Sequence, residues 1–375
     1  MNKHSDHNKL NIAIFGSSIL SAYWNGAATY YRGIVKALHK MGHNVTFYEP
    51  DILDRQEHRD IEEPDWCKVV VYPADKVNLR TLLANVHRWA NVIIKTSGVG
   101  IFDDFLEKEI SLMKENNNLI IFWDVDAPAT LDHIEKDKSD PFRELIPKYD
   151  LVLTYGGGQP VVDAYLNKGA RQCVPIYNAL DTSTHYRVKS EPLFESTLAF
   201  LGNRLPDREE RVEEFFIKPA HNLPRFRFLL GGSGWESKPL PKNISYLGHI
   251  YTKDHNAFNS TPSAVLNIAR ASMAKYGFSP ATRVFEAAGA AACIITDHWE
   301  GIESFFEPEK EILVAEDGEA VERILTELTP ERAREIGEAA HRKVMAEHTY
   351  EHRALLLESV ISENWAANRK QTVNE

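Results

Sequence analysis

Short apolar runs alternate with amphipathic stretches along almost the whole chain. In the first half the runs fall at residues 10–15, 45–48, 68–72, 92–95, 119–123 and 151–154, and helical spacing fills residues 30–41, 78–88 and 101–116. Strands that are apolar on both faces need cover above and below. Helices between them supply it, so the pattern predicts a parallel, doubly wound sheet. A further short strand is expected at 171–175.

Residues 177–196 are polar and turn-rich, with His185, Lys189 and Pro192, and read as a linker. The rhythm then restarts. Strands are expected at 197–201, 226–230, 243–246, 264–268, 292–296 and 311–314, with a helix over 207–217. Thr329 and Pro330 open a helix over 330–347, and an amphipathic helix over 350–364 precedes a polar tail. The expected division is a first Rossmann-like domain over 1–185, a second over 186–348, and a C-terminal helix with its tail over 349–375.

Length agrees with this, since 375 residues exceed what one core usually supports. With 43% hydrophobic and 26% charged residues the composition is that of an ordinary globular protein. A formal charge of −11 without a basic cluster argues against a nucleic-acid partner. The sequence holds no apolar run long enough for a membrane span. The polar opening, Met1 to Asn11, is unlike a secretory leader, and a cytoplasmic protein is expected. Cys67, Cys173 and Cys293 are far apart and read as small buried residues, not as a metal or disulfide framework.

Candidate chemistry concentrates at predicted strand ends, where open α/β sheets take their ligands. The strongest stretch runs from Ser279 to Asp297. Ser279 suits an N-cap and Pro280 a first helical position, which predicts a helix start whose free amides bind phosphate. Thr282, Arg283 and Glu286 share one helix face and set a cation and a carboxylate beside that anion site. A nucleoside diphosphate fits such a face, and so does a plain i,i+3 ion pair in solvent.

Gly202, Asn203 and Arg204 follow the first strand of the second domain, where Gly202 lets a ligand approach the backbone and Arg204 can grip phosphate bidentately. Arg270 and Asp297 close two further strands. In the first domain Asp124 and Asp126 end a strand and offer a general base, while His185 and His298 are further candidates. The Asn25-Gly-Ala-Ala-Thr29 loop lacks both Gly-x-Gly-x-x-Gly and Gly-Lys-Ser/Thr, which argues against a nicotinamide dehydrogenase and against a phosphate loop.

Several phrases together point to a family. Arg283-Val-Phe-Glu-Ala-Ala-Gly289, Ile294-Ile-Thr-Asp-His-Trp-Glu-Gly301, Phe305-Phe-Glu-Pro-Glu-Lys-Glu-Ile-Leu-Val314 and Ala346-Glu-His-Thr-Tyr-Glu-His-Arg353 resemble the CgeB-like (spore maturation protein) glycosyltransferases. Asn25 to Arg32, Gly42 to Glu49 and Phe122 to Leu131 resemble that family's amino-terminal half. The resemblance implies the GT-B fold, two facing Rossmann-like domains with the C-terminal helix crossing back to the first. It implies a hexosyl transferase that moves sugar from a nucleoside diphosphate sugar, a uridine diphosphate sugar being the first expectation, to a glycan or small-molecule hydroxyl.

Under that resemblance Glu286 matches the glutamate that binds the ribose hydroxyls. Ser279 to Arg283 face the diphosphate, with Arg204 and Arg270 in support, and neither metal nor bound cofactor is expected. Asp124, Asp126 or His185 supplies the base. One departure is Phe278, which stands where many retaining relatives carry a second glutamate, and it leaves the stereochemical course open. Two other functions fit the same sequence: a nucleotide-sugar epimerase, and a non-catalytic sugar-binding or coat-assembly protein.

Overall fold

A computed structural model describes residues 9–23 and 25–373. Residues 1–8, 374 and 375, which include most of the polar opening and the end of the expected tail, lie outside the described residues. The chain divides into two compact units, Met1–Tyr177 together with Tyr350–Glu375, and Asn178–Thr349. Residues 178–185, expected in the first domain, thus belong to the second unit.

The first unit contains β1 (Asn11–Phe15), β2 (Asn44–Asp51), β3 (Lys68–Pro73), β4 (Val92–Thr96), β5 (Leu119–Asp124), β6 (Leu151–Thr154) and β7 (Cys173–Pro175). They form one parallel sheet in the order β3-β2-β1-β4-β5-β6-β7. The second unit contains β8 (Leu198–Leu201), β9 (Phe228–Gly231), β10 (Ile244–Tyr246), β11 (Ala264–Asn267), β12 (Ile294–Asp297) and β13 (Leu313–Ala315). These too are all parallel, in the order β10-β9-β8-β11-β12-β13. Each sheet reverses its strand order beside its first strand, as the apolar rhythm predicts for a doubly wound fold.

Burial explains why these segments are strands. Every residue of β4, β5 and β6 is buried, and the helices supply the cover: Leu79, Val86, Leu106 and Ile110 pack with Ile93, Ile120 and Phe122. Each such side chain contributes roughly 1.5–3 kcal/mol relative to exposure. Leu198, Phe200, Phe216, Phe228 and Ile295 build the equivalent core of the second unit.

The last helix, Tyr350–Val373, belongs to the first unit, where it packs against the Ala28–Lys40 helix. Gly33 makes the close approach possible, because a Cβ there would sit 2.2 Å from the Tyr350 ring. Lys40 and Glu351 pair at 2.7 Å, and the buried His43 Nε2 meets Glu358 Oε1 at 3.0 Å.

One helix departs from its expected form. Residues 207–217 were expected to be regular, yet α-helical residues Glu209–Val212 lead into a π-helical turn, Glu213–Ile217, before Lys218–Asn222 resumes as α-helix. Pro219 has no amide to donate to the preceding turn and its ring crowds that turn, so the ladder widens just before it.

Candidate functional site

Phe200, fully buried in β8, is the platform of the site. The Arg208 guanidinium lies over its ring with Cζ 5.6 Å from the centroid, and Arg283 lies over the same ring at 5.8 Å. Arg208 immediately precedes the Glu209–Val212 helix and donates through Nη2 to the Asn203 carbonyl at 2.6 Å. Its Nε is buried with no hydrogen-bond acceptor. Gly202 makes room for it, since a Cβ there would meet Arg208 Nη2 at 2.8 Å and Phe200 at 2.9 Å.

Arg283 is the second residue of the Thr282–Gly289 helix. Burial first, and then the neighbouring Arg208 charge, pulls its pKa down to about 10 against the opposing pull of Glu286. The Arg208 pKa is lowered as well, chiefly by burial and further by Arg270. Two guanidiniums that share one ring repel each other, and an anion beside them would offset that repulsion.

The helix start differs from its expectation. Ser279 is not the N-cap and Pro280 is not the first helical residue. Ala281, extended at φ −65° and ψ 145°, precedes the first helical residue, Thr282. The chain is held back because Phe278 N donates to the Glu300 carbonyl at 2.6 Å and Asn178 Nδ2 donates to the Pro280 carbonyl at 3.3 Å, which keeps 278–281 in a turn and an extended step. The amides at the head of the helix therefore belong to Thr282 and Arg283, which have no carbonyl four residues back to bond.

The i,i+3 ion pair does not form. Glu286, one turn on from Arg283, instead has His185 Nε2 3.7 Å from its Oε1. His185 reaches it because the loop from Leu180 to His185 lies against Gly289, where a Cβ would meet Leu180 at 2.5 Å and the His185 carbonyl at 3.1 Å. Asn256 holds the loop through Tyr186 N and the Thr184 carbonyl, each at 3.0 Å. His255 lies nearby, its ring tilted 33° to that of His185 with centroids 6.0 Å apart, and its pKa is lowered mainly by burial, with Glu286 raising it and His185 lowering it.

Other expected ligand residues are occupied within the protein. Arg204 is paired bidentately with Glu209, Nε–Oε2 2.9 Å and Nη2–Oε1 2.7 Å, and so is committed to the helix rather than to phosphate. Arg270 pairs with Asp207 at 2.6 Å in an exposed position. Asp297 is fully buried, gripped by Arg211, the Ala269 amide and Thr296, which leaves no face for a ligand. Asn203 Oδ1 accepts from Ser233 N at 2.9 Å and braces the loop after β9. His298 is exposed, 3.9 Å from Glu316.

In the first unit the two aspartates separate. Asp124 is fully buried at the end of β5, accepting hydrogen bonds from Tyr165, from Thr130 Oγ1 at 3.0 Å and from Asp126 N at 3.0 Å. Burial raises its pKa against those bonds. It fixes the strand end and has no surface from which to act as a base. Asp126 is exposed at the head of the Ala127–Lys136 helix.

Residues 208–359 match a family described as "Glycosyl transferase-like". The matched stretch, which is similar to that family, begins at Arg208 and includes Arg283 and Glu286. No curated protein matches the chain by sequence. Among solved structures, sucrose-phosphate synthase from Thermosynechococcus elongatus is similar at 16% identity, over 96% of this chain and 100% of that one, with a TM-score of 0.69. Anabaena HepE, solved with UDP-glucose, is similar at 11% identity over 94% and 100%, TM-score 0.64. The T4 phage enzyme BGT, solved with its UDP-glucose substrate, is similar at 13% identity over 96% and 99%, TM-score 0.56. These likenesses establish the two-domain GT-B fold.

Sequence reasoning missed Arg208, Arg211, His255 and the Phe200 platform. The run Arg204-Leu-Pro-Asp-Arg-Glu-Glu-Arg211 reads as a solvated helix start. Its one usable signal is that Arg208 follows Gly202 at a distance that lets a long side chain fold back over the end of β8.

Proposed function

We propose that the protein is a glycosyltransferase that binds a nucleoside diphosphate sugar on the second unit and transfers its sugar, a hexose, to an acceptor hydroxyl. One observation carries this reading: Arg208 and Arg283 are held over one buried ring, each weakened as a cation by burial and by like charge, with the Thr282 and Arg283 amides beside them. Such an arrangement gains most from a doubly charged oxyanion. The UDP and UDP-glucose ligands of the similar structures support a uridine diphosphate sugar as donor. The residue phrases quoted above support a CgeB-like member of the GT-B transferases.

In this reading the bond between the anomeric carbon and the diphosphate oxygen breaks, and its electron pair leaves on the diphosphate. Arg208, Arg283 and the helix amides stabilise that growing charge without a metal ion. The acceptor oxygen bonds to the anomeric carbon and loses its proton to a base. Asp126, exposed two residues beyond the end of β5, is assigned that role. Glu286 accepts hydrogen bonds from the ribose. Among the described residues no helix is long and apolar enough to cross a membrane, and the reading places the enzyme in the cytoplasm.

A sugar-binding protein without turnover is the second reading. Phe278 favours it, because at φ 45° its ring packs onto Gly301 where retaining relatives carry a glutamate. Thermal shift with UDP, GDP, ADP and UDP-glucose tests donor binding, since a ligand that binds only the folded state raises its stability. A shift lost in Arg283→Ala is expected, and no shift at millimolar nucleotide sinks the proposal. Slow release of free sugar from UDP-glucose separates the transferase from the binding protein.

A further inference from the structure

The gap between His185 and Glu286 has a defined chemistry. His185 is only 7% exposed, yet its Nε2 has no hydrogen-bond partner, and 3.7 Å is too far for a bond to Glu286 Oε1. The other ring nitrogen, Nδ1, is occupied by Thr184 Oγ1 at 3.0 Å, so Nε2 alone is left for a ligand. A buried polar atom without a partner is costly, and it marks a place where a ligand or water completes the site.

Two atoms 3.7 Å apart can both be reached by a single oxygen at roughly 2.8 Å from each. One of the two atoms is a carboxylate oxygen and accepts only. The other donates when Nε2 carries the ring proton, in the tautomer whose Nδ1 accepts from Thr184 Oγ1. A ligand hydroxyl meets both demands at once, accepting from Nε2 and donating to Oε1. A carbonyl satisfies only the histidine, and an ammonium only the glutamate.

We propose that His185 and Glu286 together read one ribose hydroxyl of the donor, bridged between Nε2 and Oε1, so that His185 is a specificity-determining residue of the nucleotide site. This rests on the second unit being the nucleotide-sugar site. It replaces the expectation that His185 is the base, because the imidazole is committed to recognition. A site built to bond a hydroxyl discriminates strongly against the analogue that lacks it, since both protein groups are then left unpaired.

The test is isothermal titration of the full chain with UDP, 2′-deoxy-UDP and 3′-deoxy-UDP, for wild type, His185→Phe, His185→Gln and Glu286→Ala. Wild type is expected to bind UDP at least tenfold tighter than one of the deoxy forms. His185→Phe keeps the bulk but not the donor, and the ratio is expected to fall to within twofold. His185→Gln, which restores a donor, recovers part of the ratio. The melting temperature of each variant shows that the loss is not one of folding. Tenfold discrimination that survives in His185→Phe overturns the inference, as does a wild type that binds all three ligands equally, and both leave the donor site standing. A wild type that binds none of the three overturns the donor site as well.

Discussion

Arg211 grips Asp297 with both Nε and Nη2 on the same carboxylate oxygen, at 3.1 and 2.5 Å. That oxygen also accepts from the Ala269 amide at 2.9 Å, so one buried charge ties the end of β12 to the turn that carries Arg270. Arg211→Ala leaves the carboxylate buried without its counter-ion. A loss of about 3–5 kcal/mol is expected, read as a lower urea midpoint with an unchanged slope.

Arg208 and Arg283 repel each other across Phe200, so their removal has a signature of its own. Arg208→Ala and Arg283→Ala are each expected to weaken UDP binding by about 10- to 100-fold, the range of one lost charge-assisted hydrogen bond. The ligand-free melting temperature is expected to stay level or rise, because a like-charge contact is relieved. Calorimetry and a thermal scan on the same samples check both. A parallel fall in both quantities would assign the pair to structure alone.

Gly202→Ala probes the room made for Arg208. Its Cβ would meet Arg208 Nη2 at 2.8 Å and the Phe200 ring at 2.9 Å, which obliges the guanidinium to move. Weaker UDP binding by about tenfold, with about 1–3 kcal/mol of lost stability, is the expected outcome. Retention of wild-type affinity would show that Arg208 does not meet the ligand.

Asp124 and Asp126 are expected to separate under the same change. Asp126→Asn removes the assigned base and lowers kcat at least 100-fold with donor affinity intact. Asp124→Asn acts on stability. Burial raises the Asp124 pKa in the folded state, so its contribution is complete below the unfolded value of about 3.9 and is lost as pH rises through the folded value. Measured by urea unfolding from pH 4 upward, the stability of wild type relative to Asp124→Asn is expected to fall with pH. A gap that does not vary with pH would contradict the buried, raised carboxyl.

Cys67, Cys173 and Cys293 are buried, and burial pushes each thiol up to about 12. At pH 8 none is expected to react with a thiol reagent in the native protein, and all three to react in denaturant. Rapid labelling of the folded protein would place at least one at the surface.

The sheets were legible because fully buried parallel strands leave continuous apolar runs, and those runs place every strand to within a residue or two except β2, which runs three residues past its expected end to Asp51. The helix carrying Thr282, Arg283 and Glu286 was legible for the same reason. Its start was not, since Ser279-Pro280 signals a cap locally while the Glu300 carbonyl and Asn178 hold the backbone extended from far along the chain. Asp124, Arg204 and Asp297 looked like ligands because sequence shows where a charge falls but not which neighbour neutralises it. Arg208 was hidden for the converse reason, as a charge in a charged run reads as solvated until the fold sets it on an aromatic ring.

The Leu180 amide bonds the His348 carbonyl at 2.8 Å, so the second unit leaves the polypeptide very nearly where it enters. For the first unit this makes residues 178–349 a closed excursion. Once that excursion has folded, the final helix is tethered a few residues from Tyr177 instead of searching across the whole intervening chain, which reduces the entropic cost of joining the two halves of the first unit. The first unit thus lacks its Tyr350–Val373 helix until residues 178–349 have been made.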